Sequence, residues 1–391
     1  MVEWKTIEEL GSFFGGLTGK TKNDFVDGNA NFITYMNVFS NPSLNTSEVG
    51  TVKINEGEKQ NKIQKGDILF TGSSETPEET GMSCVVTDDL KEDFYMNSFC
   101  FGLRLYSPEQ VNLHYLKHIL RSEPVRKSIA KTASGVTRYN ISKARFGKIK
   151  IPIPSLSEQS RIVSILDTFT SSISNLKQQI EERRKQYEYE RDLLLDLEGK
   201  EGVEKISLKE VCDVINGRAY SQPELLDKGK YRVLRVGNFF SNDNWYFSDL
   251  ELEDKYYCKN GDLLYAWSAS FGPHIWKEER VIYHYHIWKM ECKEKLYVKY
   301  MYYWLQSKDM YKQAFSNLHG ATMAHLTKAL MESLKVSVPS LQAQSRIVSI
   351  LDTFEQSISN LEEQLAMREK QYEYYRNQLL TFEGEEERGK T

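Results

Sequence analysis

The stretch PSLSEQSRIVSILDTF, beginning at Pro154, returns as PSLQAQSRIVSILDTF at Pro339. The likeness continues through SSISNLKQQIEERRKQYEYERDLLL in the first copy and QSISNLEEQLAMREKQYEYYRNQLL in the second. About two-thirds of the positions match between residues 154–199 and 339–384, so a duplicated architecture constrains everything else.

The repeated stretch has the pattern of a coiled-coil seam. In the first copy Ile162, Leu166, Phe169, Ile173, Leu176, Ile180, Tyr187, Leu194 and Leu197 follow alternating steps of four and three. Arg183 and Glu190 fill the two gaps. In the second copy the positions are Ile347, Leu351, Phe354, Ile358, Leu361, Leu365, Tyr372, Leu379 and Phe382, with Arg368 and Tyr375 in the matching slots. A period of 3.5 held over about five heptads gives a seam narrower than a globular core face, one that winds left-handedly around a partner helix. Arg183 and Arg368 read as polar positions that set the register.

Each helix opens after Pro-Ser and holds neither Gly nor Pro until LEGK or FEGE stops it. About forty residues at ~1.5 Å each make a rod roughly 60 Å long. The simplest partner for one rod is the other, antiparallel in the same chain, which implies an approximate two-fold axis. The competing arrangement packs each rod on its own globular domain.

Weaker matches precede each rod in the same order. TIEELGSFFGG near Thr6 parallels SLKEVCDVING near Ser207, GDILFTGSSE from Gly66 parallels GDLLYAWSAS from Gly261, and ASGVTRYNISKARFGKIKIPIPSL parallels LHGATMAHLTKALMESLKVSVPSL. The plan is therefore a head at 1–153, a spacer helix at 154–199, a second head at 203–338, a second spacer helix at 339–384 and a charged tail at 385–391. Short β-rich runs such as FITYMNVF, DILFTG, MSCVVT, YRVLRVGNFF and DLLYAW are bounded by Gly, Asn and Asp. Each head then has one helical stretch, HYLKHILRSEPVRKSIAKTA or KYMYYWLQSKDMYKQAF. The expected fold is α+β: two similar globular heads joined by two long helices pairing as an antiparallel coiled coil, with pseudo-two-fold symmetry.

The chain has no phosphate-cradling G-x-x-x-x-G-K-[ST] loop, no G-x-G-x-x-G after a strand, no G-x-S-x-G elbow and no H-E-x-x-H helix. Asn41-Pro42 is followed by Ser43 and Leu44, unlike the Asn-Pro-Pro-aromatic loop of adenine methyltransferases. Five cysteines without a C-x-x-C pair fit reduced thiols in a cytoplasm. His284 and His286 share a strand face but have no third ligand nearby, so no metal is expected. No apolar run reaches membrane-spanning length, and a cytoplasmic protein without a membrane partner is expected.

The net charge of −4 argues against a surface that is basic throughout. Basic residues nevertheless crowd one segment: Lys117, Arg121, Arg126, Lys127, Lys131, Arg138, Lys143, Arg145, Lys148 and Lys150. Such a cluster suits backbone phosphates through counter-ion release. Within it, SGVTRYNISK offers Thr137, Arg138, Tyr139 and Asn140, and Arg and Asn are the residue types that read guanine and adenine edges bidentately. The second head offers Arg218, Arg235, Asn238, His319, Thr322, His325 and Lys328. Two further loops, with Thr71, Ser73 and Ser74 in one and Trp267 and Ser268 in the other, are candidates to enter a groove. A solvated basic face with ordinary turns is the plainer reading of the same residues.

Taken together, IPIPSLSEQSRIVSILD and VSVPSLQAQSRIVSILD, with SGVTRYNISK, HGATMAHLTK, GDILF and GDLLY ahead of them, resemble the DNA-specificity subunit of type I restriction–modification systems. The resemblance implies two target-recognition domains, each reading one half of a split site in double-stranded DNA. It implies that the helices act as spacer and as platform for two modification subunits, with motor-nuclease subunits joining in the full restriction complex. On the helices the candidate spacer and partner residues are Gln159, Arg161, Ile162, Leu166, Phe169 and Arg183, and Gln344, Arg346, Ile347, Leu351, Phe354 and Arg368. The family places S-adenosylmethionine and methyl transfer on the modification subunits, so this chain is expected to bind no cofactor and to be non-catalytic. One departure is Gln342-Ala343-Gln344 where the first copy has Ser157-Glu158-Gln159, which puts any partner contact of Glu158 in doubt for the second half. A coiled-coil scaffold with two heads and no DNA is the alternative; it accounts for the rods but not for the basic segment.

Overall fold

The structure is a computed structural model that describes residues 2–239, 242–268, 270–315 and 326–382. It divides into two compact units, one running to Leu176 and resuming at Gln364, the other spanning Lys177–Glu363.

In the first unit the strand Glu3–Thr6 pairs antiparallel with Lys150–Ile153, closing the two ends of the head on each other. Thr6 then caps the short helix Ile7–Leu10: its hydroxyl accepts from the Glu9 N–H, and the Glu9 carboxylate accepts from the Thr6 N–H at 2.7 Å. A four-stranded antiparallel sheet follows in the order Gly11–Gly15, Cys100–Leu105, Ile68–Thr71, Ser83–Val85. A second sheet holds Ala30–Ile33 between Val49–Val52 (antiparallel) and Phe94–Met96 (parallel).

The second unit repeats this plan. Glu204–Ser207 pairs with Lys335–Val338, and Cys212–Asn216, Ile287–Cys292, Leu263–Ser268 and Ser270–Ile275 form the four-stranded sheet. Tyr231–Leu234 again has one antiparallel neighbour, Tyr246–Ser248, and one parallel neighbour, Val281–Tyr283. The shared Gly-Asp signature has a local cause. Gly66 and Gly261 adopt φ of 90° and 93°, and the next residue, Asp67 or Asp262, accepts the N–H of Gln64 or Lys259 at 2.9 Å. A glycine supplies the left-handed turn and an aspartate closes it.

Three sequence expectations need correction. FITYMNVF is only partly strand: Ala30–Ile33 gives way to the helix Tyr35–Ser40, capped by the Thr34 hydroxyl on the Asn37 N–H. YRVLRVGNFF is strand only to Leu234, after which a single 3-10 turn covers Val236–Phe239. The single helix expected in each head is two, Leu113–Ile119 and Glu123–Ala130 in the first and Val298–Trp304 and Lys308–Phe315 in the second. At the break Ser122 and Ser307 donate their hydroxyls to Ile119 and Trp304 carbonyls, each at 2.7 Å, ending one helix by local competition for its last acceptor.

The rods are helices Leu156–Leu195 and Leu341–Leu380, each of 40 residues. In the first unit Phe169 stacks on Tyr375 at 5.2 Å, while Ile162 and Leu166 lie in the head core with Leu380. In the second unit Arg184 pairs with Glu362 at 2.6 Å and Tyr187 reaches Glu355 at 3.5 Å, the numbers running in opposite directions. Within each unit the rods are therefore antiparallel. Both arrangements weighed from sequence operate, because Ile162, Leu166, Ile347 and Leu351 also anchor the rod starts in the head cores. Burial of each such side chain stabilises by about 1.5–3 kcal/mol. Arg183 lies over the Phe354 ring at 6.0 Å and Arg368 over Phe169 at 5.6 Å, so both seam arginines meet a facing aromatic ring.

Candidate nucleic-acid interface

In the first head two segments far apart in sequence form one small sheet. Tyr139–Ile141 lies between Ala133–Ser134 and Ser73–Ser74, with Asn140 opposite Ser73 and Tyr139 opposite Ser74. The hairpin before Tyr139 requires Gly135, whose φ is 152° and where a Cβ would sit 2.0 Å from the Arg138 carbonyl oxygen. The tip is exposed, including Thr137 and Arg138. Arg138 Nε donates to Ser73 Oγ at 3.0 Å and its guanidinium lies over the Phe99 ring at 5.3 Å. Lys143 sits over Phe101 at 5.2 Å, and Lys131, Asn140 and Lys148 are exposed. These interactions fix the direction of two cations while leaving their heads at the surface.

Not every candidate reaches the surface. Thr71 is fully buried, and its hydroxyl accepts the Met82 N–H at 3.0 Å. Ser73 and Ser74 are also buried; Ser74 donates to Glu79 at 3.2 Å while Ser73 steadies Arg138. These residues position the loop from beneath instead of entering a groove.

The basic segment is likewise divided. Arg121 donates to the carbonyls of Ser83, Val38, Phe39 and Asn41 at 2.8–3.1 Å. Arg126 donates to those of Gly81, Glu78 and Thr80 at 2.5–2.6 Å. Burial lowers each guanidinium to about 10. Lys117 binds Asp167 at 2.7 Å on the rod, and Lys127 binds Glu123. Four of the ten residues expected to meet phosphates are thus committed to protein partners. The cause is visible only in three dimensions: the loops they tie are up to 83 residues away in sequence. Lys131, Arg145 and Lys148 have no carboxylate partner among the described residues and remain exposed.

The second head presents rings in place of cations. Trp267 Nε1 donates to the Tyr285 carbonyl at 2.9 Å, and its indole stacks on Trp288 at 5.6 Å and meets His286 edge-on at 5.1 Å. His284 packs on His286 at 4.9 Å and on Tyr220, and burial, then the nearby His286 and Arg235, lowers it to about 4. Arg218 is held by Glu224 at 2.7 Å over the Tyr220 ring. Arg235 is exposed above Tyr246. Asn238 is spent on its own loop: it accepts the Arg235 N–H at 3.0 Å and donates to Asn242 and Asn244 carbonyls. Both amide hydrogens are thus engaged within the loop. Ser268 is half-buried at the end of its strand, and Lys328 faces Glu332 at 3.5 Å. His319, Thr322 and His325 lie outside the described residues. No group of three or more His, Cys, Asp or Glu among the described residues is placed to hold a metal ion.

On the rods Gln159 and Gln344 are fully buried, while Arg161 and Arg346 are exposed. Arg161 pairs bidentately with Glu158 at 2.7 and 2.8 Å; Ala343 leaves Arg346 without that partner. The sequence reading missed Asp167 and Asp352, which receive Lys117 and Lys299 at 2.7 and 2.6 Å. Their signal was their identical place in the two copies of SRIVSILD.

Two like heads, each packed on the start of its own rod and each carrying its own exposed loop chemistry, repeat one plan within the chain. The model of the type I restriction modification DNA specificity domain matches residues 1–183 and 200–367, and the chain belongs to this family. A Haemophilus influenzae protein named as a type I restriction enzyme specificity subunit is 31% identical over 294 residues, 70% of this chain and 73% of that one. The specificity subunit of an Escherichia coli type I restriction enzyme is 28% identical over 61% of this chain and 65% of that one. Among solved structures, the S subunit of the type I restriction–modification system of M. genitalium superposes with a TM-score of 0.56 at 18% identity, covering 98% of this chain and 97% of that one. A chain from a study of type I complex assembly and conformational transition gives 0.65 at 17% identity, covering 97% of each chain. The two-head α+β plan with long helices is therefore a shared fold, and a scaffold without a DNA role is not favoured. Among the described residues no helix is long and apolar enough to cross a membrane.

Proposed function

We propose that the first head reads one half, and the second head the other half, of a bipartite double-stranded DNA site, and that the rods set the spacing and dock two modification subunits. The chain itself performs no chemistry in this reading. Methyl transfer from S-adenosylmethionine belongs to the modification subunits, cleavage to motor-nuclease subunits, and the assembly works in the cytoplasm on cellular DNA. The observation that carries the proposal is one skeleton bearing two unlike surfaces: Arg138 and Lys143 poised over Phe99 and Phe101 in one head, Trp267 and the histidine pair in the other. Like skeletons with unlike loops are what two different half-sites require, since base contacts specify and phosphate contacts position.

The test is to map methylated bases in DNA from cells expressing this chain with its modification subunit. A two-part motif with a fixed gap is expected, and the purified chain alone should transfer no methyl group. An undivided motif, or turnover by the pure chain, would overturn the reading.

A further inference from the structure

We propose that the half-site read by the first head contains at least one G·C pair, recognised by Arg138 together with Glu79. The inference rests on the DNA-reading role above and names the chemistry of one half-site.

A cleft of about 240 Å³ opens beside the small sheet that carries Arg138. Tyr35 and Phe39, stacked at 6.0 Å, form one wall; Arg138, Glu75 and Glu79 bring charge to the others. Arg138 uses Nε on Ser73, and its two terminal nitrogens have no partner among the described residues. Its fork is therefore held in direction and open at the end. Glu79 is held too: one carboxylate oxygen accepts from Ser74 Oγ at 3.2 Å and from Thr76 Oγ1 at 3.0 Å. Arg138 and Glu79 line the same cleft without pairing to each other, and no Lys or Arg pairs with Glu79 among the described residues.

Two opposite charges kept apart in one cleft ask for a ligand that offers acceptors to one and a donor to the other. A backbone phosphate satisfies Arg138 but is repelled by Glu79, so the cleft is not a phosphate seat. The major-groove edge of a G·C pair fits both, because guanine presents the O6 and N7 acceptors that an arginine fork takes bidentately and cytosine presents its N4 amino group to a carboxylate. An A·T edge matches less well, since adenine puts a donor beside its acceptor where the fork needs two acceptors. The choice between the two carboxylates follows from order. Glu79 is fixed by two hydroxyls, whereas among the described residues no hydrogen bond holds Glu75, so Glu79 is the specificity-determining group.

The experiment uses the complex of this chain with its modification subunit, and reads both the methylation motif and equilibrium binding to duplexes carrying each base at each position. Arg138→Ala identifies the half-site of the first head. In that half-site Glu79→Gln, which keeps size and hydrogen bonding to Ser74 and Thr76, should narrow discrimination against other bases at a cytosine by roughly 5- to 150-fold. Binding to the other half-site should be unchanged, which reports that the variant is folded, and Glu75→Gln should leave the motif as it was. A first half-site without a G·C pair, unchanged discrimination in Glu79→Gln, uniform weakening at every position, or a switch in Glu75→Gln instead would overturn the inference. A complex with no bipartite motif at all would overturn the two-half-site reading itself, which separates the two failures.

Discussion

Gln159, fully buried at the start of the first rod, accepts the backbone N–H of Asn112 at 2.8 Å and donates to the Pro154 carbonyl at 2.8 Å. One amide thereby ties the rod to the residue that caps the helix Leu113–Ile119. Gln344 repeats the joint in the second head, with Tyr297 N–H and the Pro339 carbonyl at 2.8 and 2.9 Å. The tyrosines Tyr115 and Tyr300 add a second repeated tie to the Pro152 and Ser337 carbonyls.

Gln159→Leu fills similar volume but orphans a buried N–H and a buried carbonyl. It should lower stability by about 1–3 kcal/mol, read as a lower denaturation midpoint of the full chain. The bases recognised should not change, because Gln159 is fully buried and bonds only to backbone groups. A variant as stable as the parent would show that water or a shifted loop satisfies both groups.

A second prediction separates the basic residues that hold the fold from those left at the surface. Arg121→Ala strips the donors from four backbone carbonyls and should cost about 3–5 kcal/mol in denaturant unfolding. Lys131→Ala and Lys148→Ala should leave stability nearly unchanged yet flatten the salt dependence of DNA binding, by about one unit of slope for each phosphate no longer neutralised. Unaltered salt slopes for both lysines would remove them from the interface.

That division marks where reading the sequence stops. The rods, their antiparallel seam and the paired heads follow from periodicity and repetition, which are local or self-referential and need no coordinates. Gly66 and Gly261 with their aspartates were visible as matched words because a turn's chemistry sits within a few residues. Charge density could not tell Arg121 from Lys131. The difference is whether loops distant in sequence bring carbonyls to the side chain, and Val38, Phe39 and Asn41 carry no mark of that role. For the same reason Thr71 and Asn238 looked like candidates: hydroxyl and amide are suited to base edges, but here folding has already used them. Nothing in the sequence marks Glu79 either, since what singles it out is the pair of hydroxyls from Ser74 and Thr76 that the folded loop turns toward it.

Acidification should act through two imidazoles, the buried His118 and the half-buried His284. Burial holds His118 below its ordinary value despite the Asp167 carboxylate at 2.7 Å, and burial with His286 and Arg235 holds His284 at about 4. Both folded values lie below the unfolded value of ~6.5, so the unfolded chain binds more protons in between. Stability contributed by the neutral rings is complete above ~6.5 and is lost as pH falls toward about 4. Asp167 adds a lower window. Burial raises its carboxyl, but the hydrogen bonds from His118 and Lys117 outweigh that and hold it at about 2. Its stabilisation is present above ~3.9 and fades as pH falls toward about 2. Unfolding midpoints measured from pH 7 to 4 should decline, and His284→Gln should flatten part of that slope. An equal slope in the variant would mean that His284 titrates normally in the folded chain.

The rods offer a direct test of distance as part of recognition. Arg184 faces Glu362 at 2.6 Å, so these positions mark matching levels on the two helices. Adding seven residues after each keeps the seam in phase, because a whole heptad restores the 3.5-residue period. Each rod then gains ~10 Å at ~1.5 Å per residue. At ~3.4 Å per base pair that corresponds to roughly three base pairs of added gap. The same change rotates one half-site against the other by about a tenth of a turn per base pair, so weaker binding is expected alongside the new spacing. A matched insertion should lengthen the gap in the methylation motif while leaving the bases of both half-sites unchanged. A single insertion of four residues in the first rod, between Ile180 and Tyr187, adds ~6 Å of helix. It shifts the seam only locally, since a stutter unwinds a coiled coil over a short stretch. It should lengthen the gap by at most roughly two base pairs, with some loss of affinity. Methylation maps of cells carrying each variant decide the matter. An active matched variant with the original gap, or with altered half-sites, would show that the rods do not set the distance.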